Sequence, residues 1–89
     1  LLKPITLNRF EKDLKLFKKR GKDLEKLKSI MFLLVNEQNL PKKYRDHVLM
    51  GNYEGRRECH IEPDWLLIYR IESKTIIFER TGTHSDLFK

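Results

Sequence analysis

The chain is poor in the residues that build specialised scaffolds. It has one cysteine, Cys59, among 89 residues. A single thiol forms no internal disulfide, so a stapled secreted fold is excluded. Glycine and proline total seven, and no low-complexity segment, linker or internal repeat is present. The longest uncharged stretch, Ser29 to Asn36, is far short of the ~20 residues of a membrane-spanning helix. No basic-then-apolar signal sequence opens the chain, so a reducing, cytoplasmic setting without a membrane partner is expected. Neither a CxxC nor an HxxxH spacing occurs, and adjacent Cys59 and His60 would face opposite sides of a strand, so no metal site is expected. Gly51 and Gly55 lack the Lys-Ser/Thr of a phosphate loop, and no cofactor is expected.

Charge is abundant and unevenly placed. The formal charge is +6, which points to an anionic partner. Residues 1–28 carry ten Lys/Arg and four Asp/Glu, residues 29–58 five and four, and residues 59–89 four and five. The excess therefore belongs to the first third. A solvated helix surface accounts for it as well as a footprint for RNA, DNA or an acidic protein does.

The length allows one domain, residues 1–89. Leu1 to Leu7 contains Pro4, which removes a ladder donor, so it is expected as an edge strand. Asn8 with Glu11 reads as a capping box opening a helix striped by Phe10, Leu14 and Phe17, and Gly21 ends it. Asp23 caps a second helix through Leu24, Leu27, Met31 and Leu34. Ile30, Phe32, Leu33 and Val35 make its second half apolar nearly all round, which predicts burial. Asn39-Leu40-Pro41 stops it. Residues 42–52 read as a surface loop. Tyr53 to Ile61, Trp65 to Glu72 and Thr75 to Thr81 then alternate as three antiparallel strands joined by short turns. The order β-α-α-β-β-β predicts an α+β domain with a two-helix hairpin on one face of the sheet.

The other face is where chemistry would sit. His60 and Asp64 flank one turn and are expected near each other. Arg80 and His84 close the last strand, and His47 lies in the long loop. Each has an ordinary explanation as well. A histidine at a strand end is commonly a hydrogen-bonding surface residue, Asp64 follows a turn proline, and Arg80 has Glu79 and Glu72 nearby for surface pairing.

The strings Asp46-His47-Val48-Leu49-Met50-Gly51, Arg57-Glu58-Cys59-His60-Ile61-Glu62-Pro63-Asp64-Trp65 and Arg80-Thr81-Gly82-Thr83-His84, followed by Leu87-Phe88, resemble the YafQ branch of the RelE-type toxins over essentially the whole chain. The resemblance implies a RelE-like fold with a curved antiparallel sheet, and the toxin half of a type II toxin–antitoxin pair. It implies a metal-free mRNA endoribonuclease acting on the ribosome, with mRNA, the ribosome's 16S and 23S rRNA and a cognate antitoxin as partners. By motif, the family's active residues correspond to His47, His60, Asp64, Arg80, His84 and Phe88. Trp65 matches the family tryptophan and is grouped, with Arg56 and Arg57, among RNA- or ribosome-contacting residues. Arg56 stands where relatives often carry an aromatic.

Histidine suits proton transfer because its ordinary pKa is ~6.5. An arginine complements charge on non-bridging phosphate oxygens. On this reading His84 is the general acid, and His60 with Asp64 serves the base side, Asp64 either acting as the base or orienting His60. Arg80 steadies the phosphate, Phe88 stacks a base and His47 assists. Lys12, Lys15, Lys18, Lys19, Arg20 and Lys22 would dock on rRNA or on the antitoxin. Two rivals use the same chain differently: a ParE-like toxin acting on DNA gyrase without an acid–base set, and a basic RNA- or ribosome-binding module without activity.

Overall fold

A computed structural model of the chain describes residues 1–49, 51 and 55–88. The elements are β1 (Lys3–Thr6), α1 (Asn8–Lys19), α2 (Leu24–Val35), a 3-10 turn (Lys42–Tyr44), β2 (His47–Val48), β3 (Arg57–Glu62), β4 (Trp65–Glu72), β5 (Thr75–Gly82) and α3 (His84–Leu87). They form one five-stranded sheet in the order β1-β5-β4-β3-β2. The β2–β3, β3–β4 and β4–β5 pairs are antiparallel, and β1 lies parallel to β5, with Lys3 beside Thr75 and Thr6 beside Phe78. The sheet is thus mixed, and Pro4 sits on its outer strand, where the missing N–H is harmless.

The helices form where the sequence places them, with two differences: α2 ends at Val35, before the expected Asn39-Leu40-Pro41 stop, with Glu37 turning left-handed at φ 58°, and α1 starts differently. Leu7, not Asn8, caps α1, and no side-chain cap bond is made. The Leu7 N–H is held by the Phe78 carbonyl at the sheet edge, while the Leu7 carbonyl already accepts from Glu11 N–H. Asn8 is thereby drawn into the first turn, and the expected Asn8–Glu11 box has no place. Gly21 ends the helix with φ 81°, a left-handed conformation that costs glycine little. Asp23 caps α2 as expected, accepting from Glu25 N–H at 3.0 Å.

Phe10 and Phe17 of α1 and Leu27, Ile30 and Leu34 of α2 pack on Cys59, Ile61, Trp65, Leu67, Tyr69, Ile76 and Phe78. Each large apolar side chain buried this way contributes about 1.5–3 kcal/mol. The second half of α2 is less covered than its composition predicts: Phe32 is 67% exposed. The sheet offers α2 one side only, so the turn-opposite residues remain in solvent.

On the opposite face, Leu66 and Ile68 of β4 pack beneath Leu87 of α3, with Leu49 beside them. Residues 42–49, expected as loop, instead make the 3-10 turn and the short strand β2, which pairs His47 with Glu58. Of the strand expected from Tyr53 to Ile61, Tyr53 and Glu54 lie outside the described residues, and β3 starts at Arg57. Met50, within one of the motif strings, also lies outside them.

Candidate active site

Alternation along β3 decides the first placement. Cys59 faces the helices and is wholly buried, and burial pushes its thiol up to about 12. Glu58 and His60 face the other way. His47 of β2 stands next to them, its ring centroid 6.2 Å from that of His60. His84, at the start of α3, lies 5.9 Å from His60 on the other side. Phe88 follows 6.3 Å beyond His84. Four rings from β2, β3, α3 and the residue after α3 therefore form a row across the sheet.

Each imidazole is fixed differently. His47 Nδ1 contacts the Arg45 carbonyl at 2.6 Å, which makes Nδ1 the protonated nitrogen, and its Nε2 lies 3.5 Å from Glu58 Oε1. His60 Nε2 is 3.9 Å from the same carboxylate oxygen, and its Nδ1 is buried without a hydrogen-bond partner among the described residues. Burial lowers the His60 pKa, outweighing the pull of Glu58; His84, Arg45 and His47 lower it further. His60 is therefore neutral at neutral pH.

Asp64 belongs to His84. Its Oδ1 accepts from the His84 backbone N–H at 2.9 Å and contacts His84 Nδ1 at 2.6 Å. These bonds hold the Asp64 carboxyl below the usual carboxylate range, the backbone bond most of all. An ionised acceptor here puts the proton on Nδ1 and leaves Nε2 as the proton-exchanging nitrogen. The expected pairing of His60 with Asp64 is corrected: the fold brings α3 back over the β3–β4 turn, and the carboxylate bonds His84 rather than His60.

Gly82 makes that fold-back possible. A Cβ there would stand 2.9 Å from Asp86 Cβ and 3.1 Å from its Oδ2. With no side chain in the way, Thr83 and Asp86 close a capping box around α3. Asp86 also pairs with Arg20 at 2.8 and 3.2 Å. Arg20 and the Thr83 N–H hold its carboxyl far below the usual range.

For Arg80 the sequence offered Glu79 and Glu72 as surface partners, but its guanidinium turns to α1. Its Nε and Nη2 donate to Asp13 of α1 at 2.8 and 3.2 Å. Glu79 instead meets Arg56 at 2.8 Å and Arg70 at 2.7 Å. Arg57 is 3.3 Å from Asp46, which also accepts from the Tyr69 hydroxyl at 2.6 Å. Trp65 requires a correction. It is 1% exposed, packed at a tilt against Phe17 and donating from Nε1 to Thr81 Oγ1 at 2.9 Å. Its position on β4 points into the helix-side core, where RNA has no access.

Of the basic set, Lys12, Lys15, Lys18 and Lys19 are exposed on α1. Arg20 is engaged with Asp86, and Lys22 pairs with Glu62 at 3.0 Å. Two acidic residues outside the motif-derived set matter here. Glu58 was recoverable from alternation, two residues before His60 on one face. Asp13 was recoverable from the α1 stripe, because it shares the apolar side with Phe10 and Phe17 and is buried there. Among the described residues, no group of three or more His, Cys, Asp or Glu is placed to hold a metal ion. No helix among them is long and apolar enough to cross a membrane.

A helix hairpin on one sheet face and a short carboxy-terminal helix on the other give the architecture of the small RelE-like toxins. The family model for the bacterial toxin of type II toxin–antitoxin system, YafQ, matches residues 2–89, and the chain belongs to that family. It is 52% identical over 80 residues to the mRNA interferase toxin YafQ of Escherichia coli K12, covering 89% of this chain and 87% of that protein. The toxin in the crystal structure of the E. coli DinJ–YafQ complex superposes with a TM-score of 0.93 at 47% identity, over the whole of both chains. A metal-bound toxin from Helicobacter pylori superposes with a TM-score of 0.92 at 43% identity, over 99% of this chain and all of that one.

Proposed function

We propose that this toxin cleaves mRNA on the translating ribosome, using its own side chains as acid and base. The observation that carries the reading is the row of His47, His60 and His84 with Asp64 locked to His84. The mRNA interferase of E. coli, at 52% identity, supports the same substrate. RNA carries the nucleophile, the 2′-hydroxyl beside each phosphodiester. Neutral His60 takes that proton. The 2′-oxygen then bonds to phosphorus as the bond from phosphorus to the 5′-oxygen breaks, and His84 Nε2 delivers a proton to the leaving oxygen. The products are a 2′,3′-cyclic phosphate, opening to a 3′-phosphate, and a 5′-hydroxyl. Arg80 offers donors to the charge that builds on the phosphate. Phe88, 42% exposed beside His84, stacks a base, an interaction worth ~1–3 kcal/mol. His47 and Glu58 hold the far end of the row.

Lys12, Lys15, Lys18 and Lys19 dock on rRNA phosphates. A cognate antitoxin, of the kind bound in the E. coli complex, neutralises the toxin. His84→Ala tests the reading. Cleavage of ribosome-bound mRNA should fall by ~10²–10⁴, while folding and antitoxin binding persist. It should also survive EDTA in the wild-type protein. Undiminished cleavage by His84→Ala overturns the assignment.

A further inference from the structure

His60 also borders a second neighbourhood. A cleft of about 540 Å³ opens there between α2, the 3-10 turn and the end of β3. That volume lies within the ~300–1,000 Å³ typical of small-ligand sites. Among the described residues its wall carries three cations, Lys26, Lys43 and Arg45, against one carboxylate, Glu62. The carboxylate is already matched, by Lys26 at 2.8 Å and Lys22 at 3.0 Å. Ile30, Tyr44 and Pro63 supply the apolar lining. The Lys43 ammonium sits 5.0 Å from the Tyr44 ring centre, so cation and aromatic are presented together.

Arg45 joins this cleft to the imidazole row. Its side chain lines the cleft while its carbonyl fixes His47, and its charge is one of those that depress the His60 pKa. A chain of phosphates passing His60 would run directly into these cations. An acidic peptide would meet the same charges, but planar bases joined by phosphates match both the lining and the cations.

We propose that this cleft is a nucleotide subsite, holding one unstacked nucleotide of the cleaved RNA strand next to the scissile phosphodiester, with its base on Tyr44 and its phosphate on Lys43 and Arg45. The proposal deepens the ribonuclease reading and rests on it for the identity of the strand.

The test uses the full chain and a fluorescent, uncleavable 2′-O-methyl hexaribonucleotide, with binding followed by anisotropy over a range of salt concentrations. Lys43→Gln with Arg45→Gln, both on exposed side chains, should weaken binding about tenfold. The double variant should also flatten the dependence of log affinity on log salt by about 0.7, the value for one single-strand phosphate that is no longer neutralised. Tyr44→Leu should weaken binding about 5- to 100-fold with a near-unchanged salt slope. A wild-type chain that fails to bind the hexamer, or a double variant that binds it with unchanged affinity and slope, overturns the subsite. So does a double variant that loses only antitoxin binding, because the occupant is then a peptide. A wild-type chain that binds through these residues yet cuts no mRNA leaves the subsite standing and removes the nuclease.

Discussion

Asp13 of α1 and Arg80 of β5 form a two-bond ion pair across 67 residues of sequence, and the same Asp13 Oδ2 also accepts from the Thr81 backbone N–H at 3.0 Å. The pair lies where β1 has ended, its last register partner being Phe78. Beyond that point β5 would be an open edge, and the carboxylate replaces the missing strand. One buried acid thus satisfies the edge and fixes the guanidinium that the proposed mechanism sets against phosphate.

Asp13→Asn should therefore act as a positioning defect. An amide keeps the volume but presents one acceptor in place of a charged pair, so Arg80 loses its fixed orientation. We expect kcat for mRNA cleavage to fall about 10- to 100-fold with KM nearly unchanged. Asp13→Glu should recover part of the loss. The protein should be destabilised by about 1–3 kcal/mol in denaturant titration, because a buried charged hydrogen bond is weakened. A variant that is destabilised but cleaves at the wild-type rate would show that Arg80 needs no such support.

The direction of the His60 shift fixes one limb of the pH profile. Burial lowers its pKa from the ordinary imidazole value of ~6.5, and the proposed base must be unprotonated. The acidic limb of kcat/KM should accordingly lie below pH ~6.5, with activity rising as pH increases through it. Replacing Glu58, the carboxylate whose charge raises the His60 pKa, should move that limb further down in Glu58→Gln. A limb that moves up in this variant would contradict the arrangement.

Gly82→Ala should separate folding of the sheet from assembly of the site. The added Cβ meets Asp86 Cβ at 2.9 Å, closer than such atoms approach, so α3 must shift. Overpacking of this kind costs about 1–3 kcal/mol. Far-ultraviolet circular dichroism should stay near wild type, while cleavage falls at least tenfold through displacement of His84. Wild-type cleavage by Gly82→Ala would mean that α3 accommodates the methyl group.

Trp65→Phe distinguishes a core role from an RNA contact. It removes the indole N–H that donates to Thr81, which should lower stability by about 1–2 kcal/mol. Affinity for the uncleavable hexamer should be unchanged. Weaker binding with undiminished stability would return Trp65 to the nucleic-acid surface.

The parts of this fold that depend on neighbours in sequence were legible there. The stripe of Phe10, Leu14 and Phe17, the Asp23 cap, the Gly21 stop and the two tight turns between β3, β4 and β5 all emerge from local periodicity and turn chemistry. The pairings that depend on distant strands were not. Nothing around Lys3–Thr6 announces a parallel partner at Thr75–Phe78, and the two residues of β2 are too few to set a period.

The same division runs through the candidate site. Motif resemblance brought His47, His60, Asp64, Arg80, His84 and Phe88 together, and the rings of His47, His60, His84 and Phe88 do form one row. It could not say which imidazole Asp64 holds, because that depends on how α3 folds over the β3–β4 turn. Nor could the aromatic character of Trp65 say that its ring faces inward.

One oxygen, Asp64 Oδ1, bonds both the first N–H of α3 and the ring of its first residue. Ring and helix start consequently share one acceptor, and the carboxylate sets the direction of the imidazole relative to the backbone of α3. The entropy of ordering the proposed acid is spent when the chain folds, before any RNA arrives. Substrate then meets a donor that is already oriented, and less reorganisation is left for the moment of reaction.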